Sequence, residues 1–167
     1  MKSIAEIDLD ATDIRLLHLL QADAAQSNQD LAVAAHTSPA TALRRVRRLV
    51  DAGVIDRQVA LLNPDRIGRG LSAIVEITLD RQGAEHLDAF EQRVATDDEV
   101  QQLWRVSPGP DFVLVVHCAD MSSYHALAQR LFTQDANVRN VKAYFSVKRA
   151  KFAPAVKLQL RPTSAPA

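Results

Sequence analysis

Four arginines occupy positions 44 to 48 of this chain, and side chains of this type at this spacing could bind nucleic acid. They are Arg44, Arg45, Arg47 and Arg48, and no acidic residue stands among them. A guanidinium fork can hold a phosphate through two hydrogen bonds, or bind a guanine edge in the major groove. The alternative is that the four side chains only solvate an exposed helix face. The missing carboxylates argue against it, because no ion pair within the segment accounts for the run.

These arginines belong to the third of three predicted helices. Ser38 followed by Pro39 predicts its start, and Gly53 predicts its end after Ala52. On a helical wheel the inward stripe is Leu43, Val46, Leu49 and Val50, and Thr41, Arg44 and Arg48 point away from it. The start of a recognition helix usually meets the bases. The residues expected to reach bases are Ser38, Ala40, Thr41 and Arg44, and those expected to hold phosphates are Arg45, Arg47 and Arg48.

Two shorter helices are predicted before this one. Between Asp10 and Ala22 apolar residues recur at every third position from Ile14 to Leu20, and Ser27 with Asp30 forms a capping box that begins the second helix. A closely spaced trio with a basic third helix is typical of a helix-turn-helix domain. The residues after Gly53 change pattern, and 54–55 and 59–62 are predicted to be extended as a short wing or a linker.

The rest of the chain has the element order β-α-β-β-α-β. The predicted strands are Leu71–Leu79, Val100–Val106, Phe112–Cys118 and Val138–Val147, and the helices are Gln82–Ala95 and Ser122–Thr133. Two helices on one face of an antiparallel sheet form a ferredoxin-like α+β domain. The third strand is apolar on both faces, so the bare face of the sheet requires a cover, and a second subunit is the simplest one.

The predicted fold class is α+β, and the chain is predicted to divide into two domains. A helix-turn-helix domain is expected over residues 1–55, a strand and linker over 56–69, the ferredoxin-like domain over 70–160, and a disordered tail over 161–167. Val156–Leu160 is a candidate edge strand within the second domain. A formal net charge of zero over 167 residues means that any nucleic-acid site depends on local clustering of charge.

Other chemistries find little support in the sequence. His117 and Cys118 are neighbours on a predicted strand, so they point to opposite faces and cannot form a nucleophile–base pair. Cys118 is the only cysteine, and the histidines lack metal-ligand spacing. We expect no enzyme activity, no metal and no cofactor. With no apolar run long enough to span a bilayer and no signal peptide, we expect a cytoplasmic protein without a membrane partner.

The turn from Ser107 to Asp111 is the most notable polar feature of the second domain. A carboxylate on a tight turn at a sheet edge can hold an ammonium group, and Tyr144 and Ser146 on the fourth strand are candidate neighbours. The alternative is that Asp111 only caps its own turn. The residues alone leave both interpretations open.

Several stretches resemble the Lrp/AsnC transcription regulators, also called feast/famine regulatory proteins. They are LDATDIRLLHLLQADAAQSNQDLA, SPATALRRVRRLVDAGVI, ALLNP, VEITL and VSPGPDFVLVVHCADMSSYHAL, in order from about Leu9 to Leu160. The resemblance implies a winged helix-turn-helix domain and a ferredoxin-like domain that assembles dimers, often octamers. It also implies a small effector, commonly an amino acid, bound between subunits. The implied effector residues are Gly109, Asp111, Met121, Tyr144, Phe145 and Ser146, with Asp111 on the amino group.

This chain departs from the family pattern at three positions. Pro108 and Pro110 stand where glycine and an aromatic residue are usual in the effector turn, and proline removes backbone N–H donors for a carboxylate ligand. His36 stands where the turn between the second and third helices usually has glycine. If that position requires a positive φ, histidine costs about 1 kcal/mol there.

The function expected is sequence-specific regulation of transcription, with double-stranded DNA, a second copy of the chain and an amino-acid effector as partners. One alternative is a nucleoid-organising DNA-binding protein without an effector. Another is an assembly protein whose three-helix segment contacts a different protein. DNA binding through arginines weakens steeply with salt, whereas an apolar protein contact does not.

Overall fold

A computed structural model of the chain describes residues 8–158, and these form two compact units. One unit comprises residues 8–60 together with 152–158, and the other comprises 61–151. Within the described residues no helix has both the length and the apolarity needed to cross a membrane.

The first unit contains three helices, at the positions that the capping signals predict. They are α1 Ala11–Ala22, α2 Asn28–Ala34 and α3 Pro39–Asp51. Their N-caps are Asp10, Ser27 and Ser38, and each side chain accepts hydrogen bonds from the backbone of the first turn. The buried core between the helices consists of Leu16, Leu31, Ala32, Ala35 and Ala42, with Leu19, Leu20 and Val46 packed against it. The predicted helix-turn-helix arrangement is therefore confirmed.

Helices α2 and α3 end in the same backbone motif but with different residues. His36 has a φ of 55°, and the N–H groups of His36 and Thr37 donate to Val33 and Ala32. Gly53 has a φ of 70° and occupies the equivalent place after α3. Both ends are Schellman caps, which require a left-handed residue. The positive φ anticipated for His36 is thus present.

Replacing His36 with glycine is expected to raise the free energy of unfolding by about 1 kcal/mol, because glycine has no Cβ to strain a left-handed backbone. Gly53→Ala is the matched control of opposite sign. A Cβ at Gly53 would meet no atom within 4 Å, so only the backbone opposes that change. Urea denaturation followed by circular dichroism measures both variants. A loss of stability in His36→Gly would contradict the strain argument.

The segment after α3 forms no strand, so the prediction of a strand or wing there is wrong for the part of the chain that the structure describes. The amide of Ile55 instead bonds back to the Leu49 carbonyl, and Val59, Leu61 and Leu62 are exposed. β-propensity alone cannot make a strand, because a strand needs a hydrogen-bonding partner. A short 3-10 helix at Pro64–Ile67 follows.

The second unit has the predicted ferredoxin-like order. Its elements are β1 Leu71–Leu79, α4 Ala84–Val94, β2 Val100–Arg105, β3 Phe112–Cys118, α5 Met121–Ala128 and β4 Val138–Phe145, with one π-helical turn at Gln129–Thr133 after α5. The strands form one antiparallel sheet in the order β2-β3-β1-β4. The predicted bounds of β1 and β3 match these, and the other predicted bounds differ by at most two residues once the π-helical turn is counted with α5. The α+β fold class is confirmed.

Within residues 61–151 the helices cover one face of this sheet and leave the other without a covering helix. On the covered face, alternate residues of β1 and β3 pack against Phe90, Tyr124 and Phe132. The other face, here called the open face, carries Ile74, Trp104, Val113, Val115 and Tyr144. Ile74, Trp104 and Tyr144 are 48%, 59% and 51% exposed.

The C-terminal segment lies against α1. Backbone atoms of Val156 exchange two hydrogen bonds with the side-chain amide of Gln21, at 2.6 and 3.1 Å. Residues 156–158 form no strand, and the remainder of the predicted edge strand and the tail at 161–167 lie outside the described residues.

Candidate functional site

The orientation of α3 differs from the helical-wheel prediction. Ala42 and Leu49 are fully buried, whereas Leu43 and Val50 are 41% and 47% exposed. The inward direction is therefore turned by about 60° from the centre of the predicted stripe, at about 100° per residue. The small side chain of Ala42 allows this face of α3 to lie close to α1 and α2. The prediction that Leu43 and Val50 are buried is wrong.

Carboxylates of α1 hold two of the four arginines. Asp13 is 1% exposed and accepts from Arg45 at 3.0 Å and from Arg48 at 2.5 Å, and Arg45 also donates to Asp10 at 2.7 Å. These bonds raise the pKa of Arg45. The backbone N–H of Asp13, assisted by Arg45, lowers the pKa of Asp10. Ion pairing therefore does account for half of the basic run, from a helix more than 30 residues earlier in the chain.

The sequence-based prediction did not include these ion pairs, because it considered only carboxylates within α3 itself. A signal was present in α1, where Asp13 stands three and four residues before Leu16 and Leu17. That spacing places a carboxylate on the apolar face of the helix. Buried charges are usually paired, so the position implied a cationic partner from another helix.

The outer face of α3 presents the remaining arginines. Arg44 and Arg47 are exposed and make no hydrogen bond or ion pair with any residue between 8 and 158. Together with Ala40 and Leu43 they line a shallow depression, which continues to Arg48, Asp51 and Ala52. We call Ala40, Leu43, Arg44 and Arg47 the outer face of α3.

The start of α3 is held in place by its own side chains and by α2. Ser38 Oγ accepts from the Thr41 amide and donates to Thr41 Oγ1 at 2.8 Å. The side-chain amide of Asn28 donates to the Pro39 carbonyl at 2.9 Å. The hydroxyls of Ser38 and Thr41 therefore fix the first turn, next to the exposed Ala40.

Comparison with known proteins decides the family. The AsnC-type helix-turn-helix domain matches residues 9–50, and the Lrp/AsnC ligand binding domain matches residues 72–156. The chain belongs to the Lrp/AsnC family. It is accordingly a DNA-binding transcriptional regulator of the Lrp/AsnC type, with its helix-turn-helix in α1 to α3.

Several members of this family are similar to the chain over most of their own length. An HTH-type transcriptional regulator of Haemophilus influenzae is 36% identical over 143 residues, which are 86% of this chain and 85% of that protein. An AsnC family transcriptional regulator from Agrobacterium tumefaciens is 28% identical, with a TM-score of 0.83 over 89% of this chain and 97% of that one. A feast or famine regulatory protein from M. tuberculosis, solved in complex with L-methionine, is 31% identical, with a TM-score of 0.79 over 89% and 98%.

In the Lrp/AsnC ligand binding domain of this chain, Asp111 ties two strands together. Its carboxylate accepts from the Leu79 amide at 2.7 Å and from the Gln82 side chain at 3.2 Å, and its own amide donates to the Ile77 carbonyl. It therefore caps the end of β1 rather than only its own turn. The exposed Gly109 lies in the same turn.

The other implied effector residues lie at the opposite end of the sheet. Tyr144 pairs with Ile74 and Phe145 with Ala73, and the amide of Ser146 donates to the Ser72 carbonyl. Met121 begins α5 just beyond the far end of β3 and is 42% exposed. Ser72 and Thr78 are six positions apart on β1, which is about 20 Å along the strand. One chain by itself thus does not bring the implied residues together.

His117 and Cys118 lie on opposite faces of β3, as predicted. Cys118 is buried in the core, and desolvation there raises the pKa of its thiol. His117 points to the open face, where its Nδ1 is 2.8 Å from Ser72 Oγ, and burial lowers its pKa. The two side chains cannot act on the same substrate atom.

Proposed function

We propose that this chain is a sequence-specific regulator that binds double-stranded DNA as a dimer or larger oligomer and takes an amino acid as its effector. The observation that carries the proposal is the division of the four α3 arginines. Arg44 and Arg47 point outward without partners among residues 8–158, while α1 holds Arg45 and Arg48. An α-helix that presents unpaired guanidinium groups is suited to the major groove.

This division suggests roles that differ from those assigned by the wheel. Arg44 and Arg47, with Ala40 between them on the same face, are proposed to meet base edges. Arg48 has a side chain that is 43% exposed, so it can share its charge between Asp13 and a DNA phosphate. Arg45 has a side chain only 22% exposed and is proposed to position α3.

Selection from random DNA by the full-length protein tests sequence-specific binding. We expect an enriched motif bound at least about 1,000-fold more tightly than random DNA, with an affinity that falls steeply with salt. Steep salt dependence without a preferred sequence would instead support a nucleoid-organising protein. No binding to DNA, together with a salt-insensitive contact to another protein, would favour a protein partner for the three helices.

The open face supports dimerisation. Trp104, Val113, Val115, Ile74 and Tyr144 occupy neighbouring positions on the four strands, so apolar side chains run across the whole width of the sheet. An exposed apolar surface of this kind is typical of a protein interface. A second copy would cover it, and it would also supply the second basic helix that a chain of zero net charge needs for useful affinity.

A charge on the open face is expected to separate the subunits. Ile74→Arg places a guanidinium at the centre of the apolar rows, and we expect sedimentation to show a monomer with weakened DNA binding. Ala89→Arg makes a comparable change on the exposed side of α4 and is expected to leave the oligomer intact. An oligomer that survives Ile74→Arg would place the interface elsewhere.

A dimer across the open face also suits an effector site made by two chains. A two-fold axis lying across the strands would bring the Asp111 end of one sheet towards the Ser146 end of the other. The relative from M. tuberculosis, at 31% identity, binds L-methionine. We therefore propose an amino acid as the ligand, with the Asp111 carboxylate on its ammonium group.

A thermal-shift screen of the twenty amino acids is expected to show stabilisation by at least one of them. Asp111→Asn keeps an oxygen that can accept from the Leu79 amide but removes the charge, so it should abolish the shift without unfolding the domain. If no amino acid stabilises the wild type, the proline-containing turn has lost the amino-acid site.

A further inference from the structure

We propose that Leu43 determines part of the DNA sequence preference by packing against the C5-methyl group of a thymine in the major groove. This inference rests on the proposed DNA-binding function of α3. It adds a residue that contacts a base through a large apolar side chain. The helical wheel places Leu43 in the core of the domain, and only its observed exposure makes this role available to it.

The buried core of the first unit does not include Leu43. Ala42 and Leu49 supply the buried positions of α3, and Val46 fills the edge between them. Leu43 remains 41% exposed, in the same depression as Arg44 and Arg47. Exposed leucines are common in proteins, so exposure alone would carry no conclusion.

The position of Leu43 within the outer face of α3 carries the argument. It lines the same depression as Ala40, Arg44 and Arg47, and on the helix it lies about 40° from Arg47 and about 60° from Ala40. It also stands in the second turn of α3, close to the N-terminal part of a recognition helix that meets base edges. When Arg47, about 40° away around the helix, engages DNA, Leu43 enters the groove beside it.

Thymine is the base that such a side chain can distinguish. Phosphates, sugars and most major-groove atoms are polar, and a leucine placed against them would only remove their hydration. The C5-methyl group of thymine is the apolar feature of the major groove, and it marks A·T pairs directly. An apolar residue beside Arg47 on the outer face of α3 therefore adds a preference for thymine next to the bases or phosphates that the arginines contact.

Deoxyuridine, which is thymine without that methyl group, gives a direct test. The operator is first selected with the wild-type chain, and then each thymine is replaced by uracil in turn, in one half-site or in both. Burial of one methyl group predicts that uracil at the contacted position of one half-site lowers the affinity about 4-fold. The same change in both half-sites is predicted to lower it about 15-fold. The same substitution should cost Leu43→Ala nothing.

Val50→Ala is the matched control variant. Val50 is apolar and 47% exposed on α3, but it lies at the end of the helix and outside the depression. It should keep the wild-type sensitivity to uracil. If the wild type tolerates uracil at every position, or if Leu43→Ala is as sensitive as the wild type, the inference is wrong. Failure of the wild type to select any sequence would instead overturn the proposed function itself, and this inference with it.

Discussion

Replacing both Arg44 and Arg47 with alanine is expected to lower operator affinity by at least about 100-fold while leaving the oligomeric state unchanged. Each good arginine contact to a base edge is worth about 1–3 kcal/mol, and a dimer loses four such side chains. Both residues are exposed, and neither bonds to any residue of the described chain, so their removal should not disturb the fold. Fluorescence anisotropy with a labelled operator measures the affinity, and sedimentation measures the oligomer.

Arg81→Ala with Arg139→Ala is the charge-matched control. Both of these arginines are exposed in the second unit, and the pair removes the same net charge as the α3 variant. We expect the control to retain most of the affinity. Equal losses in the two double variants would mean that total charge, rather than the outer face of α3, governs binding.

Replacing Asp13 with alanine is expected to lower the free energy of unfolding of the helix-turn-helix unit by about 3 kcal/mol. The carboxylate is buried, accepts from two arginines and also accepts from the Asp10 amide at the start of α1. Its loss leaves the partly buried Arg45 without its inner partner. Urea denaturation followed by helical circular dichroism measures the change.

Asp10→Ala provides the comparison. Asp10 also bonds to Arg45, but its side chain is 53% exposed, so the loss should be about 1 kcal/mol, mainly from the N-cap. Because Asp13 orients α3, its variant should also weaken operator binding at temperatures where it remains folded. Equal effects of the two variants would show that burial of Asp13 contributes little.

Much of the fold follows from signals within a few residues of one another. Ser38 with Pro39 begins α3, Ser27 with Asp30 begins α2, and the alternation over Leu71–Leu79 predicts β1, all as observed. Such features depend on one turn of helix or one pleat of strand, so the local sequence suffices to specify them. The positive φ at His36 was indicated differently, by the glycine that the resembling family usually has at that position.

Contacts between distant residues decided the rest. Strand propensity at Val59–Leu62 had no effect without a pairing partner, and the register of β1 with β3 and β4 placed Asp111 and Ser146 at opposite ends of the sheet. A register is a property of two strands together, so neither strand reveals it alone.

The basic helix shows the same division most clearly. The sequence by itself determined that α3 exists, where it begins and ends, and that it carries four arginines. Only the tertiary structure decided which two lack an ion-pair partner within residues 8–158, because Asp13, which lies 32 and 35 residues before Arg45 and Arg48, pairs with the other two. A buried carboxylate must find cationic partners, and that requirement helps to set the orientation of the helix and leaves Leu43, Arg44 and Arg47 facing outward.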